Sequence, residues 1–254
     1  METGQRIVSN APFWSEVFCE YYVHVIEGFR ASAKKVDSTF ANLETEAEEA
    51  SAAEYARWIE MPADGENDPD DSDLAQRAEA FGINYYEVMS DARQGLRNGL
   101  VVSLHHLLEQ LQLAFFRQLS STASENPRDL QTLLLACGIS TCGFPSHAKL
   151  KELRLAANTI KHGRGRSQRE LVELRPDLFA DPYSRAADVG ARSPRVDLEH
   201  STFEPLAGEG MYATDEDLAE WVDAAITYWG ELSEALMGKW ERYRAGQPLI
   251  DPPF

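Results

Sequence analysis

Between Arg97 and Leu119 apolar residues recur at Val101, Leu104, Leu107, Leu108, Leu111, Leu113, Phe115 and Phe116, so a helix there has almost no polar side. Such a helix has to be enclosed, by other helices or by a second copy of the chain, and it is expected at the centre of the fold. Its most apolar run, Gly99 to Leu108, contains His105 and His106 and stops at Glu109, too short to span a bilayer.

The rest of the chain also reads at helical period. Phe13, Trp14, Val17, Phe18, Tyr21, Val25 and Phe29 put a broad aromatic face on a helix from Pro12 to about residue 35. His24 falls among these aromatics and is expected to be a satisfied structural histidine. Phe40, Leu43, Tyr55, Trp58 and Ile59 continue the helix more sparsely over 36–60, and residues 74–95 read as two short helices broken at Gly82. Pro127 opens a short helix through Ala136. Thr214 with Asp215, Glu216 and Asp217 has the composition of a helix N-cap followed by early acids. A long last helix follows, with Leu218, Trp221, Val222, Ala225, Ile226, Leu232, Leu236, Trp240 and Tyr243 on its apolar side. Strand signals are nearly absent. The expected fold is all-α: a helical bundle with a central apolar helix, read as a single α-helical domain over 1–254, with a mobile acidic loop at 61–73 and an irregular surface segment at 180–213 that holds a short extended piece around Val196.

Charge narrows the function classes. Glu44 to Asp73 holds 12 acids and one base, Arg57, and the whole chain carries −18. A protein that coats nucleic acid regardless of sequence needs a broad positive surface, which this balance excludes, while a small focused site remains compatible. The cysteines, Cys19, Cys137 and Cys142, are odd in number and give no disulfide framework. Cys137, Cys142 and His147 supply three zinc-type ligands without a fourth, and His105 or His106 with Glu109 has metal-like helical spacing but no matching motif elsewhere, so no metal is assigned. Acids at 61–73 lack calcium-loop spacing. No P-loop, dinucleotide or nucleophile-elbow motif occurs, and no cofactor is assigned. The N-terminal residues METGQRIVSNAPFW contain no apolar core of signal-peptide length, so a cytoplasmic protein without a membrane segment is expected.

Against this acidic background stands KLKELRLAANTIKHGRGRSQR, Lys149 to Arg169, with seven of the chain's 24 basic residues and one acid, Glu152. A cationic island of this kind points to a local anionic partner. Leu150, Leu153, Ala157 and Ile160 predict a helix over 147–162 that stops at Gly163. Arg154, Asn158 and His162 follow one another at four-residue steps, and Lys161 lies seven residues from Arg154, so all four share one face near the helix C-terminus. Cations at a helix C-terminus also have a purely structural reading, because they complement the helix dipole. His162 adds a group suited to proton transfer near neutral pH.

Asn158-Thr-Ile-Lys-His162-Gly163 resembles the end of the motif of HEPN domains, in which an Arg and a polar residue precede a His by a few positions. The resemblance covers about 30 residues, counting Gly-Arg-Gly-Arg-Ser after the helix and Leu174-Arg-Pro-Asp-Leu-Phe179. It implies a helical, often dimeric protein of the kind found in toxin–antitoxin and phage-defence systems, many of which are metal-independent endoribonucleases. By position His162 matches the catalytic His and Asn158 the polar residue. Ala157 stands where the motif has its Arg, which leaves Arg154, one turn upstream, as the substitute.

Cleavage at a ribose 2′-hydroxyl needs a base, cationic support for the phosphate and an acid for the leaving oxygen. His162 is expected as base or acid, Arg154 and Lys161 as the cations, Asn158 as the group that orients the His, and Arg164 and Arg166 as holders of flanking phosphates. The partners expected are RNA or a nucleotide, a second copy in a homodimer, and no membrane. The alternative is a helical binding or sensor module without catalysis, recognising a nucleotide, RNA or a partner protein.

Overall fold

Gly82, where the periodicity predicts a break, lies inside an unbroken helix. In the computed structural model of the chain, which describes residues 2–60, 70–120, 128–180 and 210–247, α1 spans Glu2–Ser9, α2 Ala11–Phe13, α3 Glu20–Ser38, α4 Leu43–Ile59 and α5 Asp71–Leu119. α6 follows at Arg128–Ala136, α7 at His147–His162, α8 at Arg166–Leu174 and α9 at Asp215–Arg244. A π-helical turn, Trp14–Cys19, joins α2 to α3, and 3₁₀ turns occupy Thr141–Gly143 and Pro176–Phe179. The protein is all-α, with no strand among the described residues. The chain divides into two compact units, Ala33–Arg97 and Met1–Ser32 with Asn98–Phe254, whose boundary falls within α3 and again within α5.

In the unit Ala33–Arg97, α4 does not continue α3 as the apolar spacing suggests; Thr39 to Asn42 form a turn between them. Gly82 is buried, and a Cβ there would stand 2.9 Å from the Ala47 carbonyl oxygen and 2.9 Å from the Ser51 Cβ. The missing side chain lets the backbone of α5 approach α4, which is why this glycine does not break the helix. Asp37 accepts from Arg93 and Arg97, and the Tyr55 hydroxyl donates to Asp71 at 2.6 Å. Asp71 to Asp73, the last residues of the expected acidic loop, begin α5, while 61–69 lie outside the described residues.

In the other unit the apolar positions of α5 are buried: Val101, Leu104, Leu108, Leu111, Leu113, Phe115, Phe116 and Leu119. Phe115 meets Tyr22 and Trp229 edge to face, and Tyr22 and Trp229 lie with ring centroids 4.7 Å apart, an aromatic cluster of the kind that anchors a core. Cys19 lies beside it, and burial together with Glu20 pushes its thiol up to about 12. His24 is exposed, not a buried structural histidine, because its position on α3 turns it away from that cluster. α9 starts where the sequence puts it: the Thr214 hydroxyl accepts from the Asp217 N–H at 3.1 Å and the Asp217 carboxylate accepts from the Thr214 N–H at 2.9 Å, a reciprocal capping box. Of the expected irregular segment 180–213, residues 181–209, including Val196, lie outside the described residues.

Candidate functional site

α7 has the bounds its sequence predicts and two chemically different sides. Leu153, Leu155, Ala156, Ala157, Thr159 and Ile160 are buried, whereas Lys151, Arg154, Lys161 and His162 are exposed and Asn158 is half-buried. The helix ends at His162 because Gly163 takes φ +63, a left-handed conformation that favours glycine, and its N–H donates to the Thr159 carbonyl at 2.8 Å. The chain then passes Arg164 and Gly165 and starts α8 at Arg166. Arg166 is therefore the first residue of a helix and not part of a glycine loop. It is 88% exposed and pairs with Glu170 at 2.8 Å, a contact that holds the Glu170 carboxyl below its usual range. Arg154, Lys161 and His162 lie within the last two and a half turns or so of α7, Arg164 in the link after it and Arg166 at the start of α8, and all are exposed.

α5 contributes to the same neighbourhood. His105 is 8% exposed, with its Nδ1 3.6 Å from the Glu109 carboxylate, an ion-pair distance longer than a hydrogen bond. Burial holds the imidazole below its ordinary proton affinity. Glu109 pulls it back up, and Lys161, Arg154 and His106 push it further down. His106, one residue on, is exposed.

Part of the basic segment serves a different purpose. Glu152, its only acid, is 7% exposed and accepts from Arg175 Nη1 at 2.5 Å, from Lys149 Nζ at 3.2 Å and from the Trp221 indole N–H at 3.0 Å. Arg175 also donates to Asp217 and to Asp177, and Lys149 to Glu220 at 2.8 Å. The Asp177 hydrogen bonds foremost, then Asp217 and Glu152, raise the Arg175 guanidinium above its ordinary value against the effect of burial. Burial pulls Lys149 down, and its bonds to Glu220 and Glu152 more than offset that. The network ties α7, the Pro176–Phe179 turn and the start of α9 together, with Tyr212 N–H donating to the Leu178 carbonyl at 2.7 Å. The charge count of the sequence missed it. Its signal was an acid, Glu152, on the side of a helix that also carries Leu153, Ala156 and Ile160.

Among the described residues no group of three or more His, Cys, Asp or Glu side chains is arranged to hold a metal ion, and no helix is long and apolar enough to cross a membrane. Cys137 is buried and Cys142 exposed, and together with His147 they form no such group. No protein-family model, curated protein or solved structure matches this chain.

Proposed function

We propose that the protein is RNA-directed, a HEPN-like helical protein that binds the ribose-phosphate backbone at the C-terminal end of α7 and cleaves it without a metal. The observation that carries this reading is the exposed strip of Arg154, Lys161, Arg164 and Arg166, with His162 among these cations, in a chain of net charge −18. Four exposed cations along the end of α7, the link after it and the start of α8 suit a run of phosphates better than a single small anion.

Helix geometry divides the work. Arg154 and His162 are eight residues apart, about 12 Å along the axis, whereas Lys161 and His162 differ by about 1.5 Å. In this reading Lys161 supports the phosphate next to His162 and Arg154 holds a neighbouring one. His162 takes the 2′-hydroxyl proton, the freed oxygen attacks phosphorus, and the 5′-oxygen leaves with a proton from a second acid. A second copy of the chain supplies that acid as its own His162, and Asn158, one turn back, orients the imidazole.

The second reading, binding without cleavage, is favoured by Ala157. The residue at the motif's Arg position is fully buried, so no cation stands there. Incubating purified protein with total RNA in EDTA separates the two. Cleavage by the wild type that is lost in His162→Ala supports the nuclease; intact RNA retained by wild type and His162→Ala alike supports the binding module. RNA neither cut nor bound overturns the RNA-directed reading and leaves a nucleotide or a partner protein as what a binding module recognises.

A further inference from the structure

In the unit Ala33–Arg97, α5 meets α4 along the side that carries Gly82, where a Cβ would stand 2.9 Å from the Ala47 carbonyl oxygen. About a third of a turn round α5 from that contact runs a second line of side chains. Leu74, Phe81 and Val88 recur on it every seven residues, and Arg77, Asn84 and Asp91 follow each of them by three. Leu74 is half-buried and the other five are exposed, Phe81 at 45% and Val88 at 65%. Alternating steps of three and four residues are those of a seam between two packed helices. The unit also has little core of its own. Among its described residues it buries two large apolar side chains, Phe40 and Leu43, besides alanines, and it exposes Ile59, Phe81, Ile83, Val88 and Leu96. A small helical unit of this kind gains stability by association.

We infer that this line is where a second copy of the chain docks, its α5 antiparallel to the first, with the two-fold axis passing at Asn84. At about 1.5 Å per residue, Arg77 of one copy then lies level with Asp91 of the other, and Phe81 within about 1.5 Å of the level of Val88. Both pairings occur twice by symmetry, and the two-fold operation brings matching flanks of the two helices together. The line is therefore complementary to itself, cation beside acid and apolar beside apolar. A parallel pairing in register would set Arg77 against Arg77 and Asp91 against Asp91. A partner of another sequence would need its own acid and base at the same fourteen-residue separation, which a second copy supplies. Arg77 is free to take this role: it is exposed, and its guanidinium stands 5.9 Å from the Trp58 ring centroid, a weak contact at an exposed site. The inference does not rest on the RNA reading.

The test is sedimentation velocity of the full chain over a concentration series, with circular dichroism to show that each variant is folded. The wild type is expected to be a dimer, and Val88→Glu, a change at an exposed position, a monomer at the same concentrations. Arg77→Asp alone should weaken association about tenfold or more by setting acid against acid, and Arg77→Asp/Asp91→Arg should restore it. Cross-linking fixes the direction. In a Cys142→Ser background, which lacks the exposed native thiol, Asn84→Cys should form a disulfide between copies. Val88→Cys should not, because the two Val88 positions stand about 12 Å apart along the axis. A monomeric wild type overturns the inference and leaves the line on α5 to a helix of another protein. A dimer that withstands Val88→Glu overturns it by placing the contact elsewhere. An exchange of charges that restores nothing, or a disulfide through Val88→Cys, overturns the antiparallel pairing.

Discussion

Arg175 reaches back 23 residues to donate to Glu152 at 2.5 Å, and the same guanidinium holds Asp217 at the first turn of α9. The two carboxylates are 7% and 9% exposed; Glu152 also has Lys149 and the Trp221 indole N–H, whereas Asp217 has Arg175 as its cation. Removing a single partner of a buried ion pair leaves an uncompensated charge, so Arg175→Ala is expected to cost about 3–5 kcal/mol of folding stability. Urea unfolding followed by circular dichroism measures it. A loss near that of an exposed pair, below about 1 kcal/mol, would show that the network is not what joins α7 to α9.

Gly82 gives a contrast within one helix. Alanine there would bring its Cβ within 2.9 Å of the Ala47 carbonyl oxygen, whereas Gly95 and Gly99, also in α5, have nothing within 4 Å of a built Cβ. Gly82→Ala is expected to destabilise by about 1–3 kcal/mol through overpacking, and Gly95→Ala or Gly99→Ala to stabilise by about 0.5–1 kcal/mol through helix propensity. Equal effects in the same thermal-unfolding series would contradict the close approach of α5 to α4.

These two sites also mark what the sequence carries and what it hides. α7 is legible to the residue because a helical period, a cationic last turn and Gly163 all agree, and Thr214 with its trailing acids announces α9 as plainly. Gly82 is ambiguous because a glycine that ends a helix and one that permits close packing look alike until the neighbouring helix is in place. The turn at Thr39 to Asn42 is hidden for a related reason: apolar residues on both sides keep a compatible spacing. The exposed face of α7 follows from period alone, but the use of Lys149 and Arg175 as internal ties depends on α9: Asp217 lies 42 residues beyond Arg175 and Glu220 71 beyond Lys149. His105 and Glu109 are visible as a pair four residues apart. That Arg154 and Lys161 lower the proton affinity of His105 depends on tertiary packing.

Thr214→Ala removes the hydroxyl that accepts from the Asp217 N–H and is expected to cost about 1 kcal/mol, the usual value of a helix N-cap. Thr214→Ser keeps the acceptor and should cost a few tenths. A Ser variant as unstable as the Ala variant would assign the effect to lost packing of the methyl group and not to capping.

The pH dependence of folding has a definite sign at His105. Its folded proton affinity lies below the ordinary value of 6.5, chiefly through burial. The unfolded chain therefore binds the proton first, and the contribution of a neutral His105 is fully present above 6.5 and is lost as pH falls below it. His105→Gln should flatten the decline of stability between pH 6.5 and the acid range relative to wild type, by urea unfolding at a series of pH values. A wild type and variant that decline in parallel would mean that His105 has the same proton affinity in both states.

The most direct test of the RNA-directed reading is the salt dependence of binding to a single-stranded 2′-O-methyl oligoribonucleotide, by fluorescence anisotropy, for wild type and Arg154→Gln/Lys161→Gln. Each phosphate neutralised on a single strand contributes about −0.7 to the slope of log affinity against log salt. Removing two phosphate-binding cations should therefore weaken binding and make the slope shallower by about 1.4. Binding of unchanged strength and slope in the double variant, or no binding by the wild type at low salt, would contradict the assignment of this face of α7 to RNA.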